Sequence, residues 1–167
     1  MNLNHLIVKW NQERGLLNKG FDPALELKML SEEANEFYNA YSFEHRLCEY
    51  ADFKFVKAGT IAKNHAQVGL STTMFENHRD RFIQMMEWSE EVEANMVSLL
   101  ISEMDEMERN GITLSSKALQ PLADLALATV IANNNLKGKN KNADGKVIKA
   151  ENQKSPEYIL KELIYDD

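Results

Sequence analysis

Five carboxylates in the first third of the chain are spaced so that they can share a cation. They form an EExxE pattern followed by ExxD, namely Glu32, Glu33, Glu36, Glu49 and Asp52. Side chains three or four residues apart face the same side of a helix, and carboxylates held together repel one another unless a cation neutralises them. An all-oxygen ligand set suits Mg²⁺, Mn²⁺ or Ca²⁺, whereas Zn²⁺ is expected to recruit histidine or cysteine. The pattern therefore predicts a divalent-cation site that takes phosphate oxygens as further ligands.

The two acidic groups are predicted to lie on consecutive antiparallel helices. The first helix runs from Asp22 to Tyr41, and Ser42 caps a second helix from Phe43 to His65. Apolar residues at helical spacing predict one buried stripe on the first helix, made of Leu27, Leu30, Ala34, Phe37 and Tyr41. Because 12 residues separate Glu36 from Glu49, about two helical turns lead down to the connection and two lead back. Both acidic groups then arrive at the same height.

The second helix of this pair is predicted to lie inside a bundle, because it is apolar on two sides. Leu47, Ala51 and Ala58 mark one side, and Phe53 and Val56 mark another. This helix also carries Cys48, the only cysteine, directly before Glu49. We interpret it as a small core residue rather than a nucleophile, because the sequence shows no cysteine–histidine pairing signal.

The rest of the chain is predicted to be helical apart from a loop over Gly69–Thr73 and one basic loop. The further predicted helices are Leu3–Leu17, Met74–Arg109, Ser115–Asn134 and a short terminal helix over 156–165. The long helix is expected to turn Met85, Trp88, Val92, Met96, Leu99 and Leu100 inward, and the terminal helix to dock through Tyr158, Ile159, Leu160 and Leu163.

These elements predict an all-α, antiparallel bundle of four to five helices in a single domain over 1–167. The core is expected over about 3–135, followed by a basic loop over about 136–155. Only 3 Pro and 7 Gly are present, too few for a turn-rich β-sandwich. Leu, Met, Ala, Glu and Lys dominate the sequence and favour helix.

The charge balance and cysteine usage narrow the function classes. A net charge of −7 argues against broad contact with a nucleic acid polymer, which needs many basic side chains. One cysteine cannot form an internal disulfide, and no apolar run is long enough for a membrane span or a signal peptide. We therefore expect a soluble cytoplasmic protein with no membrane partner.

Three segments, WNQERGLL, LKMLSEEANEFYNA and EYADFKFV, resemble the MazG and dimeric-dUTPase superfamily of all-α nucleoside triphosphate pyrophosphohydrolases. The signature of that superfamily is EExxE on one helix and ExxD on the next, so the resemblance assigns the metal to the same five acids. The later stretch ANNNLKGKNKNADGKVIKAENQKSP is similar to NxxK and DGKVxK segments of some phage and bacterial members. This second resemblance implies substrate binding by Asn134, Lys137, Lys146 and Lys149.

The resemblance implies Mg²⁺-dependent hydrolysis of a nucleoside triphosphate to the monophosphate and pyrophosphate, with Mn²⁺ as a possible substitute. Water attacks between the α and β phosphates, and Glu33 or Glu36 serves as the general base. Lysines of the basic loop screen the triphosphate charge. Members are usually dimers or tetramers, and dUTP, dCTP or a non-canonical nucleotide is the expected substrate in a nucleotide-cleaning role.

Four points stay open at the level of sequence. The carboxylates are also compatible with the binding face of a non-enzymatic acidic helical adaptor, which does not require a metal. A ferritin-like di-metal bundle is disfavoured because it needs Glu-x-x-His motifs, and the chain contains none. The basic loop is alternatively a solvated connection, and Trp10 either packs in the core or borders a base pocket.

Overall fold

The fold is all-α in the part of the chain that the structure describes. The computed structural model describes residues 2–18, 20–66, 72–138, 142, 147 and 155–166, with backbone only over 72–77. Its helices are α1 (Leu3–Glu13), α2 (Pro23–Tyr38), α3 (Phe43–Ala66), α4 (Thr72–Arg109), α5 (Leu119–Asn135) and α6 (Pro156–Ile164), with a short 3₁₀ turn at Leu16–Asn18. Within those residues there is no β-strand, only an isolated bridge between Leu114 and Tyr165. The predicted all-α class is confirmed, and the described residues form six helices where four to five were expected.

Capping residues place α2 and α3 where the sequence indicates. The side chain of Asp22 accepts hydrogen bonds from the backbone amides of Ala24 (3.1 Å) and Leu25 (3.2 Å), and Pro23 occupies the first turn. The hydroxyl of Ser42 accepts a hydrogen bond from the amide of His45 at 3.1 Å. Each cap satisfies amides that lack a partner inside the helix. The two helices, joined by four residues and packed together, form the predicted hairpin.

Helix α3 is the centre of the fold because it packs against each of the five other helices. Its two apolar sides meet different neighbours, and Leu47, Ala51 and Phe53 are all buried. The prediction that this helix lies inside the bundle is confirmed. Cys48 is 2% exposed, and burial raises the pKa of its thiol well above the usual range, as expected for a core residue.

Several predicted helix ends were wrong by a few residues. Helix α1 ends at Glu13 rather than at the predicted Leu17, because Gly15 adopts φ +66° and turns the chain. Helix α2 ends at Tyr38 rather than Tyr41, and the long helix α4 begins at Thr72, inside the predicted loop. Helix α5 begins at Leu119 rather than Ser115, because Ser116 forms a local turn with Ala118.

Some predicted core positions were also wrong. Tyr41 lies beyond the end of α2 and is exposed, and Leu27 and Leu99 sit at the edges of their apolar stripes and are partly exposed. The terminal helix docks through Pro156, Leu160 and Ile164, whereas Tyr158, Ile159 and Leu163 are exposed. Tyr41 is exposed because the helix ends before it, whereas on the other helices the buried face is turned away from the predicted residues.

The C-terminus is fastened to the loop that follows α4. The amide of Ser115 donates to the carbonyl of Ile164 (2.7 Å), and the amide of Asp166 donates to that of Thr113 (2.9 Å). These bonds join the end of α6 to that loop, and the helix itself packs against α3 and α5. No helix in the described ranges has the length and apolar character needed to cross a membrane.

Candidate metal centre and adjoining cavity

Three carboxylates from the α2–α3 hairpin converge at one point, and we call them the acid cluster: Glu33, Glu36 and Glu49. One oxygen from each lies within 4.8 Å of the others. Glu33 is buried, Glu49 is half-buried and Glu36 is exposed, so the acid cluster spans the boundary between core and solvent. This is the meeting of the two acidic groups at one height that the 12-residue separation predicts.

The environment of Glu49 disfavours the charged form of its carboxylate. Burial is the main cause that raises the pKa of Glu49 from 4.5 to about 10, and repulsion from Asp52, Glu36 and Glu33 adds to it. The Oε2 atom of Glu49 is buried and receives no hydrogen bond from any donor in the described part of the chain. A buried carboxylate oxygen without a donor requires either a proton or a cation.

The other two predicted ligands have different positions. Asp52 follows Glu49 on α3, near enough to raise its pKa, and lines the neighbouring cavity together with Glu33. Glu32 is half-buried and is not part of the three-carboxylate group. The acid cluster offers only carboxylate oxygens, which are ligands for hard divalent cations, and the binding of Mg²⁺ or Mn²⁺ there stays a prediction.

Directly beside the acid cluster lies a cavity of about 330 Å³, which we call the aromatic cavity. Glu33 and Asp52 form its acidic edge. Its other walls come from α1, α2, α3 and the end of α5, and include Trp10, Asn11, Leu25, Met29, Phe55, Val56, Gly59, Asn134 and Lys137. A cavity of this size with apolar walls and a few polar groups is typical of a small-molecule site.

The Trp10 side of the aromatic cavity is fixed by hydrogen bonds to the end of α5. The indole Nε1 of Trp10 donates to the carbonyl of Asn134 at 2.9 Å, and the ring meets Phe55 edge-on at 5.0 Å. Arg14 lies over the Trp10 ring at 4.3 Å and donates to the carbonyl of Lys137 at 2.9 Å. Trp10 is therefore both a core residue and a wall of the cavity.

The α3 side of the aromatic cavity depends on a glycine. An ideal Cβ placed on Gly59 would lie 3.3 Å from Nδ2 and 3.4 Å from Oδ1 of Asn11. Asn11 is 3% exposed, and its Nδ2 donates to the carbonyl of Ile7 at 2.9 Å. Any side chain at position 59 would press on the Asn11 amide. Glycine there therefore allows Asn11 to keep its position in the cavity wall.

Another carboxylate that lines the aromatic cavity, Glu26, is paired with a lysine. Glu26 is 3% exposed and accepts hydrogen bonds from Thr60 Oγ1 at 2.8 Å and from Lys63 Nζ at 3.2 Å. This buried ion pair sits on the wall formed by α2 and α3. It contributes polarity to the cavity without adding net charge.

The predicted substrate-binding residues divide into two groups. Asn134 and Lys137 line the aromatic cavity, and so does Val147 from the basic loop, which was not predicted. Lys146 and Lys149 lie outside the described residues, as does most of the basic loop. The described chain therefore brings two of the four residues to the cavity.

Sequence reasoning missed a histidine that contacts the acid cluster. His45 Nε2 lies 3.1 Å from Glu49 Oε1. The four-residue spacing on one helix face was a usable signal. Its other partner, Glu157, is 112 positions further along, and nothing in the local sequence marks that contact.

Comparison of the chain with protein-family models, with curated proteins and with solved structures found no match.

Proposed function

We propose that this protein hydrolyses a nucleoside triphosphate to the monophosphate and pyrophosphate in a reaction that requires Mg²⁺, with Mn²⁺ as a substitute. The observation that carries the proposal is the shared edge between the acid cluster and the aromatic cavity. Glu33 belongs to both, and Asp52 lines the cavity beside it. A site for a divalent cation and a site for a ring-shaped ligand therefore adjoin.

The acid cluster fits a hard divalent cation. Its donors are all carboxylate oxygens, and burial together with repulsion between the acids raises the pKa of Glu49, an effect that a bound cation would offset. The resemblance to MazG-like pyrophosphohydrolases adds Asp52 and Glu32 to the same ligand set. A metal held there supplies a water of lowered pKa and a charge that orients the phosphates.

The aromatic cavity fits a nucleobase. The rings of Trp10 and Phe55 offer apolar faces, and the Asn11 amide offers a donor and an acceptor for a base edge. With the base in the cavity, the phosphates extend past Glu33 and Asp52 toward the acid cluster. The cavity walls do not by themselves select one base, and dUTP, dCTP and non-canonical nucleotides are the first candidates.

The protein's own groups supply proton transfer and charge compensation. Glu33 or Glu36 takes the proton from the water that attacks between the α and β phosphates. Lys137, at the edge of the aromatic cavity, offsets charge on the departing pyrophosphate. By the resemblance, Lys146 and Lys149 of the basic loop join it.

The direct test is a panel of ribo- and deoxynucleoside triphosphates incubated with Mg²⁺, with pyrophosphate and orthophosphate measured separately. We expect equimolar nucleoside monophosphate and pyrophosphate, without orthophosphate. Glu36→Gln and Asp52→Asn should each lower kcat by at least about 100-fold, whereas Glu91→Gln, on the exposed face of α4, is the matched control. Wild-type turnover by both Glu36→Gln and Asp52→Asn would refute the proposed site.

A second readout separates a metal site from a structural role. Removing one repelling charge by Glu36→Gln should leave the metal-free protein as stable as wild type or slightly more stable. Mg²⁺ at about 100 times its Kd should raise the wild-type melting temperature by about 5–10 °C, and the variant should lose this shift. A wild-type protein that neither binds Mg²⁺ nor hydrolyses any nucleotide would instead favour an acidic adaptor.

A further inference from the structure

His45 stands one helical turn before Glu49 and contacts it directly. Its Nε2 lies 3.1 Å from Glu49 Oε1, and both side chains are mostly enclosed, with 19% and 13% of their areas exposed. The contact engages only one oxygen of Glu49. The other oxygen, Oε2, is the buried atom that receives no hydrogen bond from the described residues.

The surroundings of the imidazole define which nitrogen carries the proton. The backbone N–H of Tyr41 points at Nδ1, 3.4 Å away, so Nδ1 is the acceptor. The proton of a neutral ring is then on Nε2, and Nε2–H donates to Glu49 Oε1. The Tyr41 ring also packs on the imidazole with 4.4 Å between ring centroids, which limits rotation of the ring.

Helix α6 completes this arrangement from a distant part of the chain. Glu157, in the first turn of α6, places Oε2 at 3.7 Å from His45 Nε2. Its other oxygen accepts a hydrogen bond from the Tyr41 hydroxyl at 2.9 Å. The histidine is thus enclosed by the turn that joins α2 to α3 and by the start of α6.

We propose that His45 is a positioning residue for Glu49. Glu157 acts on Glu49 only indirectly, because it contacts His45 and the Tyr41 ring that packs on the imidazole. The inference rests on the proposed function, because it gives Glu49 a metal to hold. His45 binds Oε1 and directs Oε2 toward the acid cluster, so that the carboxylate meets the cation in one orientation. Groups that orient metal ligands in this way typically contribute about 10- to 100-fold in metal affinity.

The central experiment compares His45→Ala with His45→Gln. The amide nitrogen of glutamine reaches about as far from the backbone as Nε2 of histidine and donates a similar hydrogen bond. Calorimetric titration of the full-length protein with Mn²⁺ alone should show affinity weakened by about 10- to 100-fold in His45→Ala. The His45→Gln protein should stay within about threefold of wild type, because it keeps the donor to Oε1.

The role of Glu157 is tested by a double-mutant cycle. Glu157→Ala should weaken Mn²⁺ binding in the wild-type background and have no further effect in the His45→Ala background, since it acts through the histidine. A general loss of stability would give additive effects instead. Melting temperatures of the metal-free variants identify any protein that fails to fold.

A readout without metal tests the hydrogen bond itself. Histidine side-chain ¹⁵N spectra of the metal-free protein, at a pH where the ring is neutral, should show His45 protonated on Nε2. A ring protonated on Nδ1, or unchanged Mn²⁺ affinity in His45→Ala, would overturn the positioning role while leaving the proposed function intact. A wild-type protein that binds no Mn²⁺ would overturn the proposed function and this inference together.

Discussion

Glu32 and Glu36 lie one turn apart on α2 but differ in their relation to the acid cluster. Glu36 contributes an oxygen to it, whereas Glu32 does not. Although the resemblance assigns both residues to the metal, we expect Glu32→Gln to weaken Mg²⁺ binding clearly less than Glu36→Gln. Isothermal titration of both variants provides the measurement, and each serves as the control for the other. Equal losses would show that the bound state recruits Glu32 by rearrangement.

The raised pKa of Glu49 predicts how the proposed metal binding depends on pH. A metal ligand must be deprotonated, and Glu49 holds its proton up to a pKa of about 10 in the metal-free fold. Affinity for Mg²⁺ should therefore rise between about pH 6 and about pH 9, with protons released on binding. Titrations in buffers of different ionisation enthalpy measure that release. A flat profile would contradict the assignment, and Glu49→Gln should abolish the proton release.

Glu49 should make the stability of the metal-free protein fall as the pH rises, whereas the affinity for metal should rise. The folded-state pKa of Glu49 lies above its ordinary value of 4.5, so the folded protein binds an extra proton between the two pKa values. Its contribution to the stability of the metal-free protein is fully present below about pH 4.5 and is lost as the pH rises toward 10. Bound metal should reverse this trend, because it replaces the proton.

At the scale of elements, the hairpin explains why part of the site was predictable. Glu33, Glu36 and Glu49 obey a local rule, in which helical period and a short connection fix their positions. The enclosure of His45 depends on α6 docking 112 positions away, and no local pattern encodes such a contact. The exposed position of Tyr41 was missed for a related reason, since α2 ends before the apolar period does.

Helix α3 also controls the shape of the aromatic cavity through Gly59. Replacing Gly59 by Ala adds a methyl group 3.3 Å from the Asn11 amide, although alanine favours helix by about 1 kcal/mol. We expect Gly59→Ala to raise KM for the nucleotide by about 10-fold, because the displaced amide no longer meets the base edge correctly. Steady-state kinetics provide the measurement. Affinity for Mg²⁺ in the absence of nucleotide should stay unchanged as the internal control.

An unchanged KM would mean that Asn11 does not contact the substrate. A parallel loss of metal affinity would mean that the substitution disturbs α3 as a whole, rather than the cavity wall alone.

At the scale of the whole molecule, α4 exposes two isoleucines on one face, and the exposed Glu87 and Glu90 lie on the same face. The helix has 38 residues, about 57 Å, and Ile83 and Ile101 lie on one face, five turns apart and both nearly half exposed. Ala94 and Ser98 lie between them and are exposed. We expect at least a homodimer formed through this face, with a mass in light scattering of at least twice 19.1 kDa.

The matched test introduces charge at the two isoleucines of this face and, as a control, at an exposed isoleucine elsewhere. Ile83→Glu with Ile101→Glu should give a monomer, whereas Ile112→Glu, at a similarly exposed loop position, should leave the assembly intact. A monomeric wild type at micromolar concentration would refute the expectation.

The central position of α3 should make it the last helix to unfold. A helix that packs against five others cannot unfold locally without separating them all, so its amides should exchange with deuterium only through global unfolding. Glu49 and Asp52 are part of this slowest segment, while α6 makes fewer contacts and can detach earlier. Detachment would release Glu157 from His45 while the acid cluster persists. The protein would then pass through a native-like state in which the carboxylates remain assembled but the orientation of Glu49 is no longer fixed.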